Sequence, residues 1–237
     1  MGLPNQFNDL IQNQLNVYAA WLPVTNNFKL GDYGIFSDGV FIKMGNIAEF
    51  DVAFERATGP DASLDFTSAD TLVSKFAGGA EVDVIPAGAI YAKIAFKFQK
   101  ERSFLIKAPT IRVNEIQNTQ QVANRLKDTD GWEKKWKVVF QTFEAVDPLI
   151  ISTLSAGTEI TFGGNAQALK ELKLGNAEVE VGTTKELGLK VQGKSGVIAL
   201  GLFKLKLFGG GVNVLTRDLT APGDAEFEIP ATPDTDL

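Results

Sequence analysis

The sequence predicts an α+β fold: a twisted, mostly antiparallel β-sheet with a long N-terminal amphipathic helix packed on it. Three observations predict it. Apolar residues in the first twenty positions recur at helical spacing. From Phe28 onward the apolar runs alternate with period two. Glycine, proline, serine and aspartate punctuate those runs at turn positions.

The helix comes first. Leu3, Phe7, Leu10, Ile11, Leu15 and Tyr18 fall on one face at spacings of three, four and seven. The opposite face is Asn and Gln, with Asp9 as its only charge. The expected helix spans 3–20 and closes before Pro23, which cannot continue it. A helix lying on a membrane surface usually carries Lys or Arg on its polar face. This one carries neither, so its apolar stripe is expected to pack on the sheet.

Strands follow. Ile35-Phe36 and Val40-Phe41-Ile42-Lys43, joined by Ser37-Asp38-Gly39, predict a hairpin. Phe50–Phe54 and Ala80–Ile85 read as further strands, with a turn at Thr58-Gly59-Pro60-Asp61. Ile90–Phe98 alternates, and Phe104–Val113 continues the pattern with an edge or bulge expected at Pro109. A second helix is expected over about 118–127, with Val122, Ala123 and Leu126 inward. Trp136–Phe143, Leu149–Leu154, Thr158–Phe162, Ala177–Val181, Gly188–Val191 and Val197–Phe208 complete a β-rich second half. Residues 166–174 fit a short helix or a strand equally. The expected organisation is one domain over 1–217 and an acidic tail, rich in Pro, Asp and Thr, over 218–237.

The charge is unevenly placed. The chain has 29 acids and 23 bases. Asp218, Asp224, Glu226, Glu228, Asp234 and Asp236 lie in the tail, which has no base, so the body is neutral. That balance argues against nucleic acid as a partner. The N-terminus has no basic region followed by an apolar core, and no run approaches 18 uninterrupted apolar residues. Gly2 follows Met1, but Gln6 stands where a myristoylation signal carries Ser or Thr. With no cysteine either, a cytoplasmic location is expected.

Composition also narrows the chemistry. The 237 residues include no histidine and no cysteine. Imidazole- and thiolate-based catalysis therefore has no agent, and zinc, copper and haem lose their usual ligands. No cofactor is expected. Carboxylate-only catalysis would draw on Asp32, Asp38, Glu49, Asp51, Glu115 and Glu144. Nothing in the sequence pairs them, and solvated positions on strands and turns are their expected lot. The chain is expected not to be an enzyme.

Two runs stand out. In Gly131-Trp132-Glu133-Lys134-Lys135-Trp136-Lys137, indoles beside lysines suit a lipid interface. They suit equally a hairpin entry with Trp136 in the core and Lys134 and Lys135 in water. In FKLKLF, Phe203 and Leu205 oppose Lys204 and Lys206, as in a strand packed on a core or a strand of a membrane barrel. In the tail, Phe227 and Ile229 alternate with Glu226 and Glu228. These apolar side chains are expected to fill a groove of the body while the acids meet Lys204 and Lys206, or Lys134 and Lys135, at its rim.

Several runs together resemble a known family. Leu22-Pro23-Val24 after an amphipathic helix, then Phe28-Lys29-Leu30, Phe41-Ile42-Lys43 and Asn46-Ile47, resemble the opening of gasdermin pore-forming domains. Trp136–Phe143, Ser155-Ala156-Gly157-Thr158 and Val197-Ile198-Ala199-Leu200 resemble their central strands. The length is similar to that of the compact bacterial members. The resemblance implies a latent pore-forming or membrane-perturbing protein that binds lipid membranes and itself, restrained by its C-terminal tail until a protease removes it. On the residue patterns themselves, Trp132, Lys134, Lys135, Trp136, Phe203, Lys204 and Lys206 are the candidate membrane or interface residues. The other reading is a non-catalytic β-rich interaction or structural module that binds a protein partner at a sheet edge or groove.

Overall fold

The computed structural model describes residues 2–170, 179–205 and 212–215. It resolves into two compact units, one of residues 1–61, 112–144 and 196–237 and one of residues 62–111 and 145–195.

The first unit opens with helix α1 (Leu3–Leu15), which has proline in its first turn, where no N–H is needed. Asn16 adopts a left-handed conformation (φ 57°), and its N–H donates to the Gln12 carbonyl at 3.0 Å. That cap ends the helix short of the expected residue 20. Tyr18 then lies in a short strand, β1 (Tyr18–Ala19), paired with Leu200 and Ala199. Phe7 and Ile11 are fully buried, whereas Leu10 is half-buried. Asn8 takes the remaining inward position, and its side-chain oxygen accepts the Ala19 N–H at 2.9 Å.

β2 (Asp32–Ser37) and β3 (Val40–Asn46) form the expected hairpin. Its two loop residues, Asp38 and Gly39, both have positive φ (50° and 79°), as a tight hairpin turn of this hand requires. The expected strand over 50–54 is not one. Asn46 and Glu49 instead form a reciprocal cap on a short 3-10 turn, Ile47–Phe50. β4 (Arg56–Thr58) follows.

The second unit begins with β5 (Ala62–Thr67), β6 (Thr71–Ala77), β7 (Ala80–Glu81) and β8 (Ala92–Phe98). The expected strand over 80–85 is thus two residues long. β9 (Phe104–Ile116) gives 104–111 to this unit and 112–116 to the first. In the second unit it pairs with β5, and that register slips between Ala62/Ile111 and Leu64/Ala108, around Pro109. In the first unit it pairs with β4.

Helix α2 (Thr119–Lys127) buries Val122, Ala123 and Leu126, as expected. Then come β10 (Lys137–Val146), β11 (Leu149–Thr153), β12 (Thr158–Gly164), α3 (Ala166–Lys170), β13 (Val179–Thr183), β14 (Leu187–Gln192), β15 (Ser195–Leu205) and β16 (Val212–Leu215).

In the second unit β5, β9, β11 and β14 form one sheet, and the other runs β13-β12-β8-β6-β7. In this unit the pairs β5–β9, β9–β11, β11–β14, β12–β13, β8–β12, β6–β8 and β6–β7 are antiparallel. Leu105, Leu149 and Ile151 from the first of these sheets join Ile94, Phe96, Phe98, Ile160 and Phe162 from the second in one apolar core with α3. The first unit has its own cores, one around Tyr33, Ile47, Leu126, Trp136 and Phe203, another around Tyr18, Phe36, Phe41 and Leu200.

Candidate functional site

Exposed apolar surface concentrates in the second unit. Leu72, Val73, Val84, Ile90 and Tyr91 are all exposed large apolar side chains, and all lie within twenty residues of sequence. Val84 is 71% exposed and Ile90 98%. Elsewhere among the described residues, Leu22, Ile42, Met44 and Leu154 are exposed as scattered positions. Scattered ones are ordinary, whereas this concentration in one short run makes it the candidate site.

Local chemistry builds the cluster. Gly78 and Gly79 both have positive φ (59° and 85°) and turn β6 back into β7. Ile85 is buried in the core, and Ala89 packs against it. They hold the connection to β8 down while Val84 and Ile90 stay in solvent. From Phe76 to Ala92 the chain has two acids, Glu81 and Asp83, and no base. Val73, Lys75, Glu81, Val82 and Asp83 line an open cavity of about 440 Å³. Across it the Lys75 ammonium donates to the Asp83 carbonyl at 3.0 Å.

The sheet behind this cluster has two unlike faces. Residues directly opposite in neighbouring strands share a face. Val73, Phe96, Ile160 and Thr183 form one row, and Lys75, Ile94, Phe162 and Val181 the next. This face is mostly apolar, and its centre joins the core. On the other face Leu72, Lys97 and Glu159 form a row, as do Phe76, Lys93, Gly163 and Glu180. The Lys93 ammonium stands 5.7 Å from the Phe76 ring centre. A Cβ on Gly163 would come 2.1 Å from the Tyr91 hydroxyl, so only glycine lets that phenol lie against β12.

The residues singled out in the sequence lie elsewhere. Trp132 and Trp136 meet in the first unit, with ring centres 5.2 Å apart. Tyr33 stands 5.4 Å from Trp132 and 4.7 Å from Trp136, and Phe50 packs on both Tyr33 and Trp132. Trp136 is buried and Trp132 half-buried, while neither indole N–H has a hydrogen-bond partner among the described residues. Burial, then the Glu49 carboxylate and its hydrogen bond, push the Tyr33 phenol above its ordinary pKa. Lys134 and Lys135 are exposed, and Lys135 pairs with Glu133 at 3.3 Å.

Phe203 is fully buried, 6.2 Å from Phe140. Residues 198–203 of β15 are buried without a break, so both faces of that stretch are covered. Phe203 and Leu205 of the alternating run are both buried. Lys204 is half-buried. Lys206, Phe227, Ile229 and the whole tail 218–237 lie outside the described residues.

Among the candidate acids, Asp32, Glu49 and Glu115 are engaged in structure. Asp32 is fully buried, accepts from the Lys29 N–H and the Asn46 side chain at 2.8 Å each, and pairs with Lys43 at 2.9 Å. Glu49 accepts from the Asn46 N–H at 2.9 Å. Glu115 accepts from Gln141 at 3.0 Å. Asp38 and Asp51 are exposed at left-handed positions, and Glu144 is half-buried. Among the described residues no group of three or more Asp or Glu could hold a metal ion. No helix among them is long and apolar enough to cross a membrane.

No family model matches the chain, and no curated protein matches it. Solved structures similar to it include two gasdermins. One is the cryo-EM structure of the gasdermin A3 membrane pore, with 11% identity over 95% of this chain and 98% of that chain, at a TM-score of 0.36. The other is a bacterial gasdermin from Bradyrhizobium tropiciagri, with 12% identity over 90% of each chain, at a TM-score of 0.38. Both are gasdermins, the family that the sequence runs resemble.

Proposed function

We propose that the chain is a latent membrane-perturbing or pore-forming protein that acts on lipid without catalysis. The observation that carries the reading is the concentration of exposed apolar side chains along one run, Leu72 and Val73 on β6 and Val84, Ile90 and Tyr91 in the connection to β8, beside a sheet with one mostly apolar and one charged face. A barrel wall needs the same division, with one face to lipid and one to water. Residues 71–98 are 28 in number, enough for two spanning strands of about 9–11 residues and a turn. Self-association follows from the same logic, because a spanning sheet must close its edges against further copies.

In this reading residues 1–217 are the working body and the acidic segment 218–237 restrains it. Trp132, Lys134, Lys135, Trp136, Phe203, Lys204 and Lys206 then serve the body as interface or supporting residues. Phe227 and Ile229 anchor the tail.

Dye release from liposomes tests the reading. The intact chain should leave vesicles sealed, and a chain trimmed after Arg217 should empty them. Vesicles that stay sealed with both, across a range of lipid charge, end it. A second reading then stands, favoured by exposed Ile42 and Met44 on β3, which among the described residues pairs with β2 alone. It is a module that binds a protein partner at that sheet edge.

A further inference from the structure

One charged side chain of the second unit sits where apolar ones are expected. Lys107 and Leu105 are two apart on β9 and so share a face. Leu105 belongs to the core with Phe96 and Ile94 of β8. Lys107 lies directly opposite Leu149 on one side and Asp65 on the other. Its side chain is only 8% exposed and ion-paired with Asp65, which is 46% exposed. The same ammonium stands 5.8 Å from the centre of the Phe96 ring. It is thus held between the carboxylate of one sheet and an aromatic ring of the other.

The unequal exposure decides what each partner contributes. A carboxylate that loses its cation here still has water on one side. An ammonium that loses its carboxylate is left in the core, and an uncompensated buried charge is far costlier than a missing pair. The ring alone offsets only a small part of that cost.

We propose that Lys107 and Asp65 form a clasp that sets how readily β8 parts from β9. Asp65 favours the closed sheet pair, and the ammonium of Lys107 opposes it whenever that carboxylate is removed. The clasp regulates release of the strands assigned to lipid above, and its functional meaning rests on that reading. Its physical content does not.

Amide hydrogen exchange over residues 92–98 of the full chain, in buffer without lipid, tests it. D65N should exchange there at least tenfold faster than the parent. K107M should exchange no faster than the parent, since a thioether suits the space beside Phe96. The double variant should follow K107M. Should D65N fail to fold, a folded double variant with parent-like exchange gives the same answer. Tenfold faster exchange in K107M, parent-like exchange in D65N, or a double variant that does not fold would overturn the clasp. In the dye-release assay, D65N in the trimmed chain should shorten the lag before leakage. Vesicles sealed against every variant would remove the pore reading, while exchange decides the clasp separately.

Discussion

β8 and β15 are nearly the same sentence written twice. Ala95-Phe96-Lys97-Phe98 in one and Leu202-Phe203-Lys204-Leu205 in the other alternate alike. Their surroundings differ. β8 has its lysines on a charged face shared with Glu159 and Glu180. β15 carries six consecutive buried residues before Lys204. Alternation specifies which face tolerates charge at a given position. Whether that face meets water a few residues earlier depends on what packs over it from distant sequence.

The largest effect should follow from truncating the fully covered strand. Phe203→Ala removes a buried ring, and about 3–5 kcal/mol of stability should go with it. Urea unfolding measures this. Phe76→Ala, on the half-buried β6, should cost clearly less, and equal losses would break the comparison between covered and open strands. In the helix, Ile11→Ala should cost about 2–4 kcal/mol, whereas half-buried Leu10→Ala should cost only about 1 kcal/mol. A reversed order of midpoints would show that α1 presents a different face. The smallest change in stability belongs to Ile90→Ser. With Ile90 98% exposed, the unfolding midpoint should stay within about 0.5 kcal/mol of the parent. Binding of the trimmed chain to vesicles should nevertheless fall, as measured by co-sedimentation, and unchanged binding would separate the exposed cluster from lipid.

Local signals were legible where the chemistry is local. Asp38-Gly39 declares its turn, and Val122, Ala123 and Leu126 declare the buried face of α2. β5 escaped because only Leu64 and Phe66 carry its alternation, and β6 because Leu72-Val73 and Ser74-Lys75 pair like residues and break the period of two. Their pairing with β9 and β8 is what defines them as strands. The expected 80–85 strand stops early because Ile85 turns inward to plug the core. The exposed cluster was illegible for a different reason. Val84 and Ile85 are neighbours of like hydrophobicity, and only the fold puts one in water and the other in the core. The tryptophans were legible as a pair, but the ring contacts of Tyr33 and Phe50 come from an earlier hairpin and turn that sequence spacing does not connect to them.

The placement of the indoles has an optical consequence. The chain has three tryptophans, and Trp21, Trp132 and Trp136 all belong to the unit of residues 1–61, 112–144 and 196–237. Residues 62–111 and 145–195 contain none. Emission excited at the red edge of protein absorbance therefore reports the first unit and is blind to the second. Far-ultraviolet dichroism sees the strands of both. If the two signals trace one curve through a denaturant titration, the units unfold together; if the dichroism moves first, the part bearing the clasp and the exposed cluster opens while the indoles still glow in a native environment.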